Sequence, residues 1–140
     1  MTTPRQLLAF DYGTKVIGVA YGQTLTNTTQ ALKPLKAQDG IPQWELIQKL
    51  IDEWRPNLLV VGLPLNMDGS PSELSQRAEK FARRLTGRFG LPAEMMDERL
   101  SSFEAKGQVI EQTGSRDFKQ HGIDSIAATL ILQSWLEQHT

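Results

Sequence analysis

The chain is 140 residues long, the size of one domain and too short for a two-lobed enzyme, because chains divide at roughly 100–200 residues per domain. Fifteen Lys and Arg against sixteen Asp and Glu leave a formal net charge of −1, which excludes a globally basic nucleic-acid module but not a local basic face. With no cysteine there is no disulfide framework, thiolate zinc site or cysteine nucleophile, and a chain of this length should bury about two thirds of its unfolded surface without such a staple.

Gln6 to Phe10 is a short apolar run ending at Asp11-Tyr12-Gly13, and Lys15 to Tyr21 follows at once. Two strands so close form an antiparallel hairpin, since a parallel crossover needs a dozen or more residues. Thr28 to Leu35 is a third strand, and Pro34 within it argues for an edge position. From Gly40 to Trp54, apolar residues at Trp44, Ile47, Leu50, Ile51 and Trp54 predict a helix with Pro42 in its first turn. Leu58 to Val61 is continuously apolar, as in a central strand covered on both faces.

Ser70-Pro71-Ser72-Glu73 predicts a capping box with Ser70 at the cap. The helix it opens carries an inward stripe of Leu74, Ala78, Phe81, Leu85 and Phe89 and stops at Gly90. Ala93 to Asp97 is a fifth strand, and Ser101 to Glu104 is a second capping box, for a helix of about ten residues. Residues Gly114 to Gln120 are expected to form a mobile loop, and Ile123 to Gln138 the closing helix. This order predicts an α/β fold: a mixed five-stranded sheet, its first three strands antiparallel, with helices on both faces. No stretch is long and apolar enough for a signal peptide or a bilayer span. A soluble, cytoplasmic chain with residues 1–140 as a single domain is expected.

Three carboxylates fall at element ends that such a fold gathers: Asp11 after strand one, Glu98 after strand five, and Asp124 in the first turn of the last helix. Converging carboxylates make an oxygen-rich pocket for hard Mg²⁺ ions, a pair of which can activate a water and stabilise the leaving oxygen of a phosphodiester. Each also has a plain structural reading. Asp11 can shape a turn, Glu98 can pair with Arg99 or Lys106, and Asp124 can complement the helix dipole. On a helical wheel, however, Asp124 shares an arc with Ile131 and Trp135, on the apolar side.

The segment Gly62 to Ser70 feeds a capped helix start, where backbone N–H groups can bind phosphate; spacing alone favours a simple strand-to-helix turn. Between Glu73 and Phe89 five bases (Arg77, Lys80, Arg83, Arg84, Arg88) oppose two acids (Glu73, Glu79). Taken alone that is the solvated side of an amphipathic helix; beside a phosphate-friendly loop it gains weight.

Four blocks in order, Phe10-Asp11-Tyr12-Gly13-Thr14-Lys15 through Ala20, Val61 to Ser70, Asp97-Glu98-Arg99-Leu100-Ser101-Ser102, and Asp124-Ser125-Ile126-Ala127-Ala128 with Ile131-Leu132, resemble the YqgF family, also called RuvX. These RNase H-like bacterial proteins are described as Holliday junction resolvases and as the nuclease that matures pre-16S rRNA. The resemblance covers nearly the whole chain. It implies an RNase H-like fold, with Asp11, Glu98 and Asp124 as catalytic, metal-binding acids. It also implies Mg²⁺ or Mn²⁺ as cofactor and cleavage that leaves a 5′-phosphate and a 3′-hydroxyl. Around those acids, Lys15, the Asn66 to Ser70 loop, Arg77, Arg84 and Arg99 are the candidate nucleic-acid contacts. Val16 stands where the family commonly has Arg, Tyr21-Gly22-Gln23 replaces Val-Ser-Asp, and only Arg116 and Lys119 remain of a basic stretch before the last helix.

The partner implied is nucleic acid, as pre-rRNA in ribosomal precursor particles or as branched DNA. No membrane is involved, and the chain acts as a monomer or homodimer. Two alternatives are a Holliday junction resolvase of DNA repair and a non-catalytic RNA-binding assembly factor. Asp11-Tyr12-Gly13-Thr14 also reads like the opening of sugar kinases and actin-like ATPases, but 140 residues cannot supply the second domain those need.

Overall fold

The computed structural model of the protein describes residues 5–97 and 125–139. In chain order the elements are β1 (Gln6–Asp11), β2 (Val16–Gln23), β3 (Thr28–Gln38), β4 (Ile41–Pro42), α1 (Trp44–Trp54), β5 (Leu58–Leu63), α2 (Glu73–Phe89) and β6 (Ala93–Asp97). A third helix, α3, takes in residues 125–139. The expected capping box at Ser101, the helix it opens and the Gly114 to Gln120 loop lie outside the described residues, as does Ile123. No helix of the described residues is long and apolar enough to cross a membrane.

One six-stranded sheet runs in the order β4-β3-β2-β1-β5-β6. β1, β2 and β3 pair antiparallel, whereas β1 with β5 and β5 with β6 pair parallel. The sheet is therefore mixed, as expected, but holds one strand more. The extra strand comes from Asp39-Gly40, both with positive φ (50° and 80°), the conformation of a tight hairpin turn. β3 continues to Gln38 and folds back there, pairing Ala37 with Pro42 and Gln38 with Ile41. That return consumes residues 41–42, so α1 starts at Trp44, after a Gln43 cap with no side-chain bond, and Pro42 belongs to β4. Pro34 sits where the register slips from Leu32↔Val19 to Leu35↔Ile17, so the missing N–H falls at a bulge.

Alternation along the strands divides the core in two. Leu8, Phe10, Leu59 and Val61 pack under Ile47 of α1 and Ala78, Phe81 and Leu85 of α2. Leu7, Ala9, Leu58 and Val60 pack under Ala128, Ile131, Leu132 and Trp135 of α3. Helices thus cover both faces. β5 is apolar at every position because each face meets a helix. α3 also spans the sheet's width, donating from Gln133 Nε2 to Thr29 Oγ1 on β3 (3.2 Å) and from Trp135 Nε1 to Glu94 Oε1 on β6 (3.3 Å).

The N-cap of α2 is Ser72, two residues later than the sequence predicts. Ser72 Oγ accepts from Ser75 N–H (2.9 Å), and Ser75 Oγ accepts from Ser72 N–H (2.8 Å). Ser70 is unavailable because its hydroxyl and N–H both donate to Asp68 Oδ1 (2.6 and 2.9 Å). Ser72 Oγ also donates to the Pro64 carbonyl (2.6 Å), tying the helix start back to the exit of β5. Ser72→Ala should therefore lower stability by about 1–2 kcal/mol, and Ser70→Ala by less than half of that. Urea midpoints at constant slope measure both; equal losses would contradict the assigned cap.

Candidate functional site

β1, β5 and β6 are parallel and finish together, at Asp11, Leu63 and Asp97. Phe10 aligns with Val61, and Val61 with Met95; the next row along brings Gly62 beside Met96, and the one after it Leu63 beside Asp97. Strand ends gathered beside an antiparallel neighbour are where open α/β sheets place their ligands. Asp11 is half-buried there and lies opposite Gly18, which carries no side chain to crowd it. By alternation it shares the face of Leu7 and Ala9, the face covered by α3. It is paired within the strand, and the turn to β2 begins only after it. In that turn a Cβ on Gly13 would collide with the Val16 carbonyl oxygen.

The start of the described part of α3 docks in the adjacent row, where Val19 lies opposite Phe10. Ser125 is fully buried and its Oγ accepts from the Val19 N–H at 3.3 Å. Val19 is the residue after Gly18 and stands at the register shift between β2 and β3. Ser125 also holds Thr129, whose Oγ1 donates to the Ser125 carbonyl (2.9 Å). Sequence reasoning passed over Ser125; a small polar residue between Asp124 and the apolar run of the closing helix was its only signal.

Of the other expected site residues, Glu98, Arg99 and Asp124 lie outside the described residues. Among the described residues no three His, Asp or Glu side chains cluster to hold an ion by themselves. Asn66 and Ser70 stand at the Asp11 end of the sheet, in the loop after β5, and bond each other: Asn66 Nδ2 donates to Ser70 Oγ (3.0 Å) and Asn66 N–H to the Ser70 carbonyl (3.0 Å). The loop is thus a preformed turn with Met67 exposed at its tip (90%). Lys15 is exposed in the β1–β2 turn, and its carbonyl accepts from Ala37 N–H (2.8 Å).

Arg77 and Arg84 stand with α2 on the opposite face from Asp11. Arg77 Nη2 donates to the Asp39 carbonyl (2.7 Å) and to Asp39 Oδ1 (3.2 Å). Both arginines line a cavity of about 270 Å³ together with Tyr12, Gly40, Trp44 and Lys80. Tyr12 links the two faces: it follows Asp11 in sequence, and its hydroxyl donates to the Gly40 carbonyl (3.0 Å).

A family model described as RuvX: Holliday junction resolvase matches residues 5–138. A protein of Pseudomonas putida named "Putative pre-16S rRNA nuclease" is 57% identical over 141 residues, covering 100% of both chains. One of Azotobacter vinelandii with the same name is 56% identical over 139 residues, 99% of this chain and 97% of that one. Among solved structures, "T. thermophilus RuvC in complex with Holliday junction substrate" matches with a TM-score of 0.59 at 14% identity, covering 96% of each chain. At that identity the likeness is one of fold, and the fold is the RNase H-like one.

Removing the Ser125 hydroxyl leaves a buried N–H facing an apolar methyl. Ser125→Ala should cost about 1–3 kcal/mol of unfolding free energy, whereas Thr129→Ala, at a part-buried hydrogen bond, should cost less. Denaturant unfolding of the two variants checks the order.

Proposed function

Because the chain belongs to the RuvX family, we propose that it is a metal-dependent nuclease that hydrolyses nucleic-acid phosphodiester bonds, acting in 5′-end maturation of pre-16S rRNA. The observation that carries the reading is the position of Asp11: the one acidic residue of the central strand, half-buried where three parallel strands end and opposite a glycine. The name borne by full-length relatives at 57% and 56% identity directs the choice of substrate.

Asp11, Glu98 and Asp124 are the acids of the site. Glu98 follows Asp97, the last residue of β6, and Asp124 precedes Ser125, which is anchored beside Gly18. Carboxylate oxygens at the end of Asp11's row suit Mg²⁺ or Mn²⁺. Such an ion, when bound, lowers the pKa of a water and neutralises charge on the phosphate. Without it the carboxylates repel one another, so binding the ion and ordering the site are coupled. Asp11 fixes one corner from a strand that cannot move without opening both cores. Lys15 and the Asn66–Ser70 turn stand at the same end of the sheet to receive the phosphates on either side of the scissile bond. Arg99 joins them, or holds Glu98 in place. Arg84 contacts the strand farther away, on a face that Arg77 shapes through its bonds to Asp39.

The family description names junction resolution, and a four-way DNA junction offers the same bond. Paired cuts there would need two sites and hence a symmetric dimer. The test is cleavage in Mn²⁺ of an RNA spanning the mature 5′ end of 16S rRNA and of a four-way DNA junction, by the wild type and by Asp11→Asn. The RNA should be cut at the mature end, and Asp11→Asn should lose roughly a hundredfold or more, since metal assistance supplies several kcal/mol and about 1.4 kcal/mol is tenfold. Undiminished cleavage by Asp11→Asn would overturn the assignment of the site. Cleavage of the junction alone would transfer the function to DNA, and tight RNA binding with no cleavage would make the protein an assembly factor.

A further inference from the structure

The cavity on the α2 face has a charge that the other described residues do not neutralise. Arg77, Lys80 and Arg84 stand three and four residues apart, so they share one side of the helix. The two acids of α2 do not line the cavity: Glu73 lies at the helix start, and Glu79 lines a different cavity with Arg83. Asp39 is the one acidic residue of the lining, and Arg77 engages it at 3.2 Å. Lys80 and Arg84 are exposed and form no ion pair among the described residues. Two unpaired cations on one concave wall repel each other, and an anion between them removes that repulsion.

The opposite wall is a tight turn packed against Tyr12 and Arg77. Gly40 has φ of 80°, and a Cβ there would collide with the Tyr12 hydroxyl. The Tyr12 and Arg77 bonds to residues 39–40 hold this turn against the sheet. Trp44 backs the cavity, with the Arg88 guanidinium 4.2 Å from its ring centroid. At about 270 Å³ the space falls below the ~300–1,000 Å³ of pockets that enclose a whole small molecule. It suits a phosphate with its sugar.

We propose that this cavity is a phosphate seat for the substrate strand, a second anchor across the sheet from Asp11, with Lys80 and Arg84 as its ligating cations and Arg77 as the brace that shapes it. The inference rests on the nuclease reading and deepens it. Asp11 and Tyr12 are consecutive residues facing opposite sides of the sheet end, so a strand whose scissile phosphate lies at Asp11 can pass the end of β1 and place a phosphate farther along in the seat. Contacts of this kind hold register and carry no base sequence. The seat also returns positive charge to a chain whose Val16 and thin basic stretch remove it near the acids.

The test is binding of a short fluorescent single-stranded RNA in chelator, followed by anisotropy across a salt series. Lys80→Gln/Arg84→Gln should weaken binding about tenfold at low salt and flatten the log–log salt slope by about 1.4, at ~0.7 per phosphate contact on a single strand. Arg83→Gln, which removes one positive charge from the other side of the helix, should match the wild type. A double variant no weaker than Arg83→Gln would overturn the seat, as would an equal loss in both, which would mean diffuse attraction only. Inorganic phosphate should compete better than chloride at equal ionic strength but only in part, since it fills one seat of a strand held at several points. Complete displacement of the strand by phosphate would make the ligand a free anion and overturn the strand assignment. Chelator abolishes cleavage, so a failed seat leaves the nuclease reading in place. A wild type that never cleaves but shows the expected drop overturns only that reading.

Discussion

Leu7, Leu8, Ala9 and Phe10 have no exposed surface, and β1 is hydrogen-bonded along both edges, antiparallel to β2 and parallel to β5. Every other element is placed by reference to this strand. Its odd residues carry the α3 core and its even residues the α1–α2 core. At about 1.5–3 kcal/mol for each large apolar side chain buried, exposing Leu7, Leu8 and Phe10 would cost roughly 5–9 kcal/mol, comparable with a domain's whole stability, typically 5–15 kcal/mol. The strand ends in Asp11, so a carboxylate is fixed at the one place where the sheet changes from antiparallel to parallel. A functional group on so immobile a support keeps its geometry when a ligand arrives.

The same alternation sorts the charges. Asp11 falls on the α3 side, while Tyr12, one residue on, falls on the α2 side with Lys80 and Arg84, which pair with no acid among the described residues. A net charge of −1 is therefore a sum over two unlike regions: acids where the parallel strands end, and a cationic concavity beside the β3–β4 turn. Neutralising the acids with a divalent ion would leave the whole sheet end attractive to a polyanion. A chain without overall positive charge can thus act on nucleic acid.

Much of this was legible in the sequence because the signals are local. The four-residue gap after Asp11 dictates an antiparallel hairpin, and the unbroken Leu58–Val61 run marks a strand covered twice. The arc of Ile131 and Trp135 is buried against the sheet as the helical wheel requires. Where the expectation failed, local signals competed. Ser70 and Ser72 both resemble caps, and the choice was made by Asp68, which captures Ser70. Asp39-Gly40 is a strong hairpin signal, but the apolar periodicity beginning at Trp44 drew the helix start too far back. The Ser125 anchor was not legible, and of the seat only the basic side of the helix was, not the wall of Gly40 and Trp44 that closes it. They join residues 106 positions apart in the first case, and a helix to a distant turn in the second; no window along the chain contains both halves.

The central claim is that Asp11 is a ligand of a divalent cation at the end of β1, and thermal unfolding with and without Mn²⁺ tests it most directly. An ion bound only by the folded state raises the melting temperature as its concentration passes the dissociation constant. Such a rise is expected in the wild-type protein, and none in Asp11→Asn at the same Mn²⁺ concentrations. An equal rise in both proteins would show that the ion binds elsewhere, and would contradict the claim.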